Sequence, residues 1–251
     1  ADTTVLGAGT YNYILNSTGG DNYSSSSNLA TRFIVVSQAT NPTSLYIDGN
    51  LNQNVETTYG STSNITGLCG GSPSCHIYIN GTQKDSENNT SITRGAGLYM
   101  TVVNTTDTAN YTAYSRQYNL TINPASTTMI LYVDSSTPTT TTKEKHTTNT
   151  INLTASLSVS GKTVSIYRND TLLSSGTTPH ENDTTLNLAV GNYTYVANWT
   201  GDNNYTTSSD TVYIFVNDTI APTLDYASPT PDDNANQTST SVTFNVTHTE
   251  Q

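Results

Sequence analysis

Gly191-Asn192-Tyr193-Thr194-Tyr195-Val196-Ala197-Asn198-Trp199, followed by Gly201-Asp202-Asn203-Asn204-Tyr205, is the stretch on which the reading of this chain turns. It opens on Gly-x-Tyr and closes on Asn-Tyr. The same frame occurs twice more, as Gly9-Thr10-Tyr11 with Tyr23 and as Gly97-Leu98-Tyr99 with Tyr111. In each copy the closing Tyr stands twelve positions after the opening one, and an apolar run follows a polar interval. Those runs are Phe33-Ile34-Val35-Val36, Tyr118-Asn119-Leu120-Thr121-Ile122 and Val212-Tyr213-Ile214-Phe215-Val216. Short runs of β-branched and aromatic residues bounded by Gly, Asn and Asp read as strands. The copies are about 90 residues apart, the size of one two-sheet sandwich.

Outward from this frame, further strands align between the two full copies. Leu45-Tyr46-Ile47-Asp48 matches Leu131-Tyr132-Val133-Asp134 as a first strand, and Asn64-Ile65-Thr66 matches Asn152-Leu153-Thr154 as a second. Ile77-Tyr78-Ile79-Asn80 matches Val164-Ser165-Ile166-Tyr167-Arg168-Asn169 as a third. The repeat therefore predicts the last three strands of a domain in residues 1–37, full domains in 42–124 and 127–217, and the first two strands of another in 221–251. The partial modules are read as a section of a longer repetitive polypeptide, or as halves that neighbouring copies complete by strand exchange. The junctions at residues 38–42, 123–126 and 218–222 lie at or beside Pro, which restricts hinging. The Thr-rich stretch Thr137 to Thr150 is expected to be a polar edge loop between first and second strands.

Composition points the same way. Only 11 % of residues are charged, with Asp and Glu outnumbering Lys and Arg 19 to 8, and Thr alone makes up about a fifth of the chain. Eight scattered basic residues make no patch for nucleic acid. Seventeen Tyr argue against a disordered chain, and no run reaches the length of a membrane helix.

The densest chemical signal is Asn-x-Ser/Thr. It occurs at Asn16, Asn22, Asn64, Asn80, Asn88, Asn89, Asn104, Asn110, Asn119, Asn152, Asn169, Asn182, Asn192, Asn198, Asn204, Asn217, Asn236 and Asn245. Several recur in phase. Asn16, Asn104 and Asn198 lie five positions after the repeat Tyr, whereas Asn22, Asn110 and Asn204 lie eleven after it. Asn80 and Asn169 follow the third strand, and Asn64 and Asn152 open the second. N-linked glycans are expected on most of them, although the adjacent Asn88 and Asn89 leave room for only one. Strand residues alternate in direction, so outward Asn16, Asn104 and Asn198 place Tyr11, Tyr99, Tyr193, Leu15, Val103, Ala197 and Trp199 inward.

The Leu188-Ala189-Val190-Gly191-Asn192-Tyr193-Thr194-Tyr195 segment and the Gly201 to Tyr205 loop resemble the immunoglobulin-like repeats of large bacterial and archaeal surface proteins. In that resemblance they are the penultimate strand, its tyrosine corner and the loop after it. The resemblance covers nearly the whole chain. It implies an all-β protein of tandem immunoglobulin-like sandwiches arranged as an elongated rod, located outside the cell. Cys69 and Cys75 are expected to form a local disulfide across Gly-Gly-Ser-Pro-Ser.

Catalytic patterns are thin. His76, His146, His180 and His248 sit in separate segments, and no nucleophile elbow accompanies them. Asp21, Asp107 and Asp202 recur near the closing Tyr and read as turn caps rather than calcium ligands, and Lys162 reads as a solvated amine. No enzyme activity, cofactor, metal, nucleic acid or membrane insertion is expected. The expected partners are covalent glycans and either other copies of this chain or the rest of a longer one. The leading expectation is structural surface material, a filament, stalk or surface layer. The alternative is an adhesin that grips a glycan or protein through exposed loops, with the Cys69–Cys75 loop as its candidate.

Overall fold

The computed structural model describes the chain apart from residues 1–3, 72–73, 138, 145–149, 186–187, 219–220, 239 and 250–251. Its described residues form strands, one short 3-10 turn at Asp85–Glu87 and no α-helix. Two compact units emerge. One comprises Ala1–Ala125 with Asn203–Tyr205, and the other Ser126–Asp202 with Thr206–Gln251.

In the first unit, β1 (Gly9–Ser17) and β2 (Ser26–Val36) make an antiparallel hairpin. There follow β3 (Ala39–Thr40), β4 (Thr43–Ile47), β5 (Asn50–Leu51), β6 (Val55–Thr58), β7 (Thr62–Cys69), β8 (Cys75–Ile79) and β9 (Thr82–Gln83). Then come β10 (Thr90–Thr93), β11 (Gly97–Thr105), β12 (Tyr111–Thr112) and β13 (Tyr114–Asn123). Two sheets form, ordered β10-β7-β4-β5 and β6-β13-β11-β8-β9, and β4 packs across onto β11 and β13.

The second unit repeats the plan. Its strands are β14 (Met129–Val133), β15 (Thr140–Glu144), β16 (Thr150–Leu157), β17 (Thr163–Arg168), β18 (Thr171–Thr177), β19 (His180–Thr185), β20 (Gly191–Trp199) and β21 (Ser208–Asn217). The sheets run β14-β16-β19 and β15-β21-β20-β17-β18, with β14 packed on β20 and β21. A final hairpin joins β22 (Thr223–Ala227) to β23 (Asn245–Thr249).

The six aligned strand segments all appear, as β4, β7 and β8 and as β14, β16 and β17. The Thr-rich stretch differs from its expected loop. Thr140–Glu144 is a strand, β15, lying parallel to β21, as β6 lies parallel to β13. An edge strand has to satisfy its backbone on one side only, and threonine favours the extended conformation while its hydroxyl can face water. His146 lies outside the described residues.

Alternation along the strands builds the cores. In β4, Thr43, Leu45 and Ile47 are buried while Ser44 and Tyr46 are half-buried. Leu45, Ile47, Ile65, Ile77, Val103 and Leu120 fill the first sandwich, and Leu131, Leu153, Ile166, Tyr195, Ala197 and Ile214 are fully buried in the second. Threonine also serves inside. Thr101 and Thr105 are buried on β11, and their Oγ1 atoms donate to the carbonyls of Tyr118 at 2.6 Å and Tyr114 at 3.1 Å. A hydroxyl satisfied by the neighbouring strand lets a polar residue occupy a core position without a desolvation penalty. This is how a chain only 33 % hydrophobic closes two cores.

Turn chemistry recurs between copies. Asp48 and Asp134 both adopt φ 49°, and their Oδ1 atoms accept the backbone N–H groups of Asn64 at 2.7 Å and Asn152 at 3.0 Å. Asp tolerates the left-handed region because its short side chain bonds locally. The repeat tyrosines fix the other end. Tyr11, Tyr99 and Tyr193 donate their phenolic hydrogens to the carbonyls of Gly7, Gly95 and Ala189, each four residues upstream, at 2.9, 2.9 and 3.0 Å. That contact is the tyrosine corner of two-sheet sandwiches. The fold is immunoglobulin-like, in tandem.

Candidate glycosylation surface and disulfide loop

None of the eighteen Asn-x-Ser/Thr asparagines is buried. Asn64, Asn88, Asn119, Asn152, Asn182, Asn198 and Asn204 are half-buried, and the other eleven are exposed. The alternation on β11 and β20 puts Asn104 and Asn198 opposite to the buried Val103 and Ala197, with Trp199 at 6 % exposure on the core side. Leu15 is the exception to the expected inward set. It is 60 % exposed, because no second sheet covers the β1–β2 hairpin among the described residues.

The best-defined pair of sites is Asn80 and Asn169. Both follow the third strand of their sandwich in the left-handed region, with φ 48° and 46°. Each donates its backbone N–H to a carbonyl on the adjacent strand, Met100 O or Thr194 O, at 2.9 Å. Each also accepts, through Oδ1, the N–H of that same residue, at 2.8 Å for Met100 and 2.9 Å for Thr194. The side-chain carbonyl thus continues the ladder for one more rung and fixes the carboxamide plane. Each side chain lies on the exposed surface.

Other sequons use their amides differently. Asn64 and Asn152 accept the hydroxyl of the threonine two residues on, Thr66 at 2.8 Å and Thr154 at 3.1 Å, so the sequon is closed on itself. Asn16 Oδ1 accepts the Asn28 N–H at 2.9 Å. Asn110 Oδ1 accepts the N–H of Ala8, and Asn204 Oδ1 that of Ala96, both at 2.8 Å within the first unit. Asn88 is pinned at both ends. Its Oδ1 accepts the Gly67 N–H at 3.0 Å, and its amide nitrogen donates to Gly67 O at 3.4 Å. Its neighbour Asn89 is exposed, at φ 56°; its backbone N–H donates to Ile65 O at 2.9 Å and its Oδ1 accepts from Thr66 Oγ1 at 3.4 Å. The two adjacent sequons are therefore unequal.

Cys69 and Cys75 are joined, with 5.7 Å between their Cα atoms. They end β7 and begin β8, so the bond ties one sheet to the other. A ring this short contributes roughly 2 kcal/mol through the unfolded chain. Beside it lies a polar cluster that the sequence reading did not single out. Asp85 Oδ1 accepts the Ile77 N–H at 2.8 Å, and Asp85 Oδ2 meets His76 Nδ1 at 2.8 Å and Gln83 Nε2 at 2.6 Å. Hydrogen bonding to His76 above all, then to Gln83 and the Ile77 backbone, lowers the Asp85 carboxyl from 3.8 to about 2. A carboxyl depressed in the folded state stabilises above its unfolded pKa and loses that contribution as pH falls through the folded value. Asp85 is accordingly expected to titrate by carbon-detected NMR near pH 2, and His76→Ala to raise its midpoint toward 3.8 with little change elsewhere. An unmoved midpoint in that variant would remove His76 as the main cause.

The remaining candidates stand apart. His180 Nε2 lies 3.0 Å from Ser174 Oγ, and His248 is exposed on β23. No group of three or more metal-ligating side chains occurs among the described residues. Lys162 Nζ pairs with Asp202 Oδ2 at 2.7 Å, and Asp107 accepts the Ala113 N–H as a turn cap. Asp21 is an exposed turn residue.

No protein-family model matches the chain, and no curated protein matches it. Among solved structures, the fibronectin(III)-like modules of Clostridium thermocellum CbhA share 16 % identity over 69 % of this chain and 94 % of theirs, at a TM-score of 0.29. A 1.5-MDa bacterial ice-binding adhesin shares 14 % over 76 % and 71 %, at 0.34. The N-terminal four Ig domains of Dscam1 isoform 6.9 share 15 % over 75 % and 51 %, at 0.30. Strand order and the tyrosine corner are what make the fold immunoglobulin-like.

Proposed function

We propose that this chain is structural material of the cell surface, an N-glycosylated segment of a filament, stalk or surface layer. Its role in this reading is mechanical and steric, not catalytic. Prolines lie near the module junctions, and sugars cover the lean sandwiches and their edge strands. The disulfide fits an oxidising compartment, and no described helix is long and apolar enough to cross a membrane.

The observation that carries the reading is the matched geometry of Asn80 and Asn169. Two modules of different sequence hold an exposed sequon in the same backbone conformation, with the same two hydrogen bonds to the neighbouring strand. Turn-forming alone would be served by Gly or Asp. The sequon Thr, Thr82 after Asn80 and Thr171 after Asn169, is retained in both.

Intact mass of the protein from its native source, before and after deglycosylation, tests this. An intact mass that falls on treatment is the expected result. Peptide mapping should find sugar on Asn80, Asn169 and Asn89 and none on Asn88, whose amide nitrogen is already engaged. A mass unchanged by deglycosylation would overturn the glycan reading.

A further inference from the structure

Some sequons are threaded through the sandwich cores. In Asn64-Ile65-Thr66, Asn104-Thr105-Thr106, Asn119-Leu120-Thr121, Asn152-Leu153-Thr154 and Asn198-Trp199-Thr200 the middle residue is buried. The asparagines lie on β7, β11, β13, β16 and β20, each of which runs between two other strands of its sheet. Asn104 opposes Ser115 on one side and His76 on the other, as Asn198 opposes Ser209 and Ser165. Asn64 and Asn152 also hold the hydroxyls of their own Thr66 and Thr154.

The sequons Asn80-Gly81-Thr82 and Asn169-Asp170-Thr171 are placed differently. All three residues of each are exposed. They form the turns from β8 to β9 and from β17 to β18, and β9 and β18 are the outermost strands of their sheets. The pairs Tyr78–Gln83 and Ile79–Thr82 hold the first turn, and the ladder beside the second is irregular between Ile166 and Tyr167. Such a margin opens locally at little cost, whereas a central strand is released only when its whole sheet comes apart.

That difference bears on the chemistry of sugar attachment. The Asn Nδ2 bonds to C1 of a phosphate-activated sugar, the bond from C1 to the phosphate oxygen breaks, and the amide proton passes to a base. The phosphate carrier leaves as its anion. An amide nitrogen shares its lone pair with the carbonyl and is a poor nucleophile. A transferase therefore has to enclose the carboxamide and grip the tripeptide, including the Thr hydroxyl that the motif requires. A tripeptide flanked by strands on both sides, with its middle side chain in a core, cannot be enclosed.

We propose that sugar reaches Asn64, Asn104, Asn119, Asn152 and Asn198 only on the unfolded chain, before the sheets close, whereas Asn80 and Asn169 remain acceptors in the folded protein. Glycosyl transfer to the first set is thus a step that precedes folding. This rests on the glycan reading above and fixes the order of its events. A folded domain is unfolded for only roughly 10⁻³ to 10⁻⁶ of its molecules at any moment, so folding should slow transfer to the interior strands by more than about a hundredfold.

The test compares the folded, non-glycosylated recombinant chain of residues 1–251 with synthetic peptides of the same sequons. Both are incubated with membranes of the native source, which supply the transferase and its sugar donor, and each site is followed by peptide mass spectrometry. Asn80 and Asn169 should react within about tenfold of their peptides, and the five interior sites more than about a hundredfold below theirs. Tyr195→Ala removes a core side chain of the second sandwich and leaves every sequon intact. It should raise transfer at Asn152 and Asn198 by at least about tenfold, and leave Asn64, Asn104 and Asn119 unchanged. Interior sites that react in the folded chain as fast as in their peptides would overturn the proposal and leave the glycan reading standing. So would slow interior sites that Tyr195→Ala does not release, or folded Asn80 and Asn169 that react no faster than the interior set. Peptides that take no sugar at all would overturn both.

Discussion

Tyr195→Ala is expected to cost the second sandwich about 4 kcal/mol, the usual toll of removing a buried aromatic ring. Tyr195 is the largest fully buried side chain among the described residues, and burial pushes its phenol pKa up. A module of this size has of order 5–10 kcal/mol in hand, so the loss is a large fraction of the whole. In urea the variant should show an early transition carrying the fluorescence of Trp199, which is buried on the same face of β20. A midpoint shift under 1 kcal/mol would mean that the site collapses and the ring is not the keystone of that core. The first sandwich does without such a ring. Thr101 sits at the equivalent position opposite Tyr118, whereas Tyr195 sits opposite Val212. The large residue has changed strands while the pair keeps one large and one small member.

The second large effect concerns a charge. Arg94 is 8 % exposed, with Nη1 donating to Ser63 Oγ at 2.8 Å and Ser63 O at 3.4 Å, and Nη2 to Glu87 Oε2 at 2.5 Å. Burial alone would raise the Glu87 pKa, but hydrogen bonds from Lys84 and Arg94 win and lower it. Arg94→Ala should cost about 3 kcal/mol, because breaking a buried pair strands the partners it leaves behind. The second sandwich shows an apolar solution at the same place. Five residues before its repeat Tyr stands Leu188, and the strand residue matching Ser63 is Ile151, fully buried. The double change Ser63→Ile with Arg94→Leu should therefore restore stability to within about 1 kcal/mol of the parent, since apolar replacement of a buried ionic cluster is often neutral. Urea midpoints of the two singles and the double close that cycle. A double variant as unstable as the sum of its singles would show that the two sites do not act as one unit.

Much of this architecture was legible in the sequence because it is written twice. The six strands that align between copies are all present, and the inward set on β11 and β20 follows from parity alone. What was not legible is non-local. The strand Thr140–Glu144 reads as a polar loop because its partner, β21, lies some seventy residues away and leaves no period in the stretch itself. The burial of Arg94 leaves no local signal, because its partners Ser63 and Glu87 come together through the pairing of β10 with β7. The sequons were visible at once, but their inequality was not. Only the fold shows that Asn88 turns back onto Gly67 while Asn89 faces solvent.

The terminal strands of the first sandwich have a consequence for a polypeptide made of many similar modules. β5 and β9 are two residues long, and β6 and β10 are four. Neighbouring modules of related sequence, held close by their tether, are the partners with which a strand most easily pairs in error during synthesis. A rim this short offers a wrong partner only a handful of hydrogen bonds, too few to repay the ordering of an extra segment. Brevity at these margins thus keeps the first sandwich folding on its own account beside its near-twin.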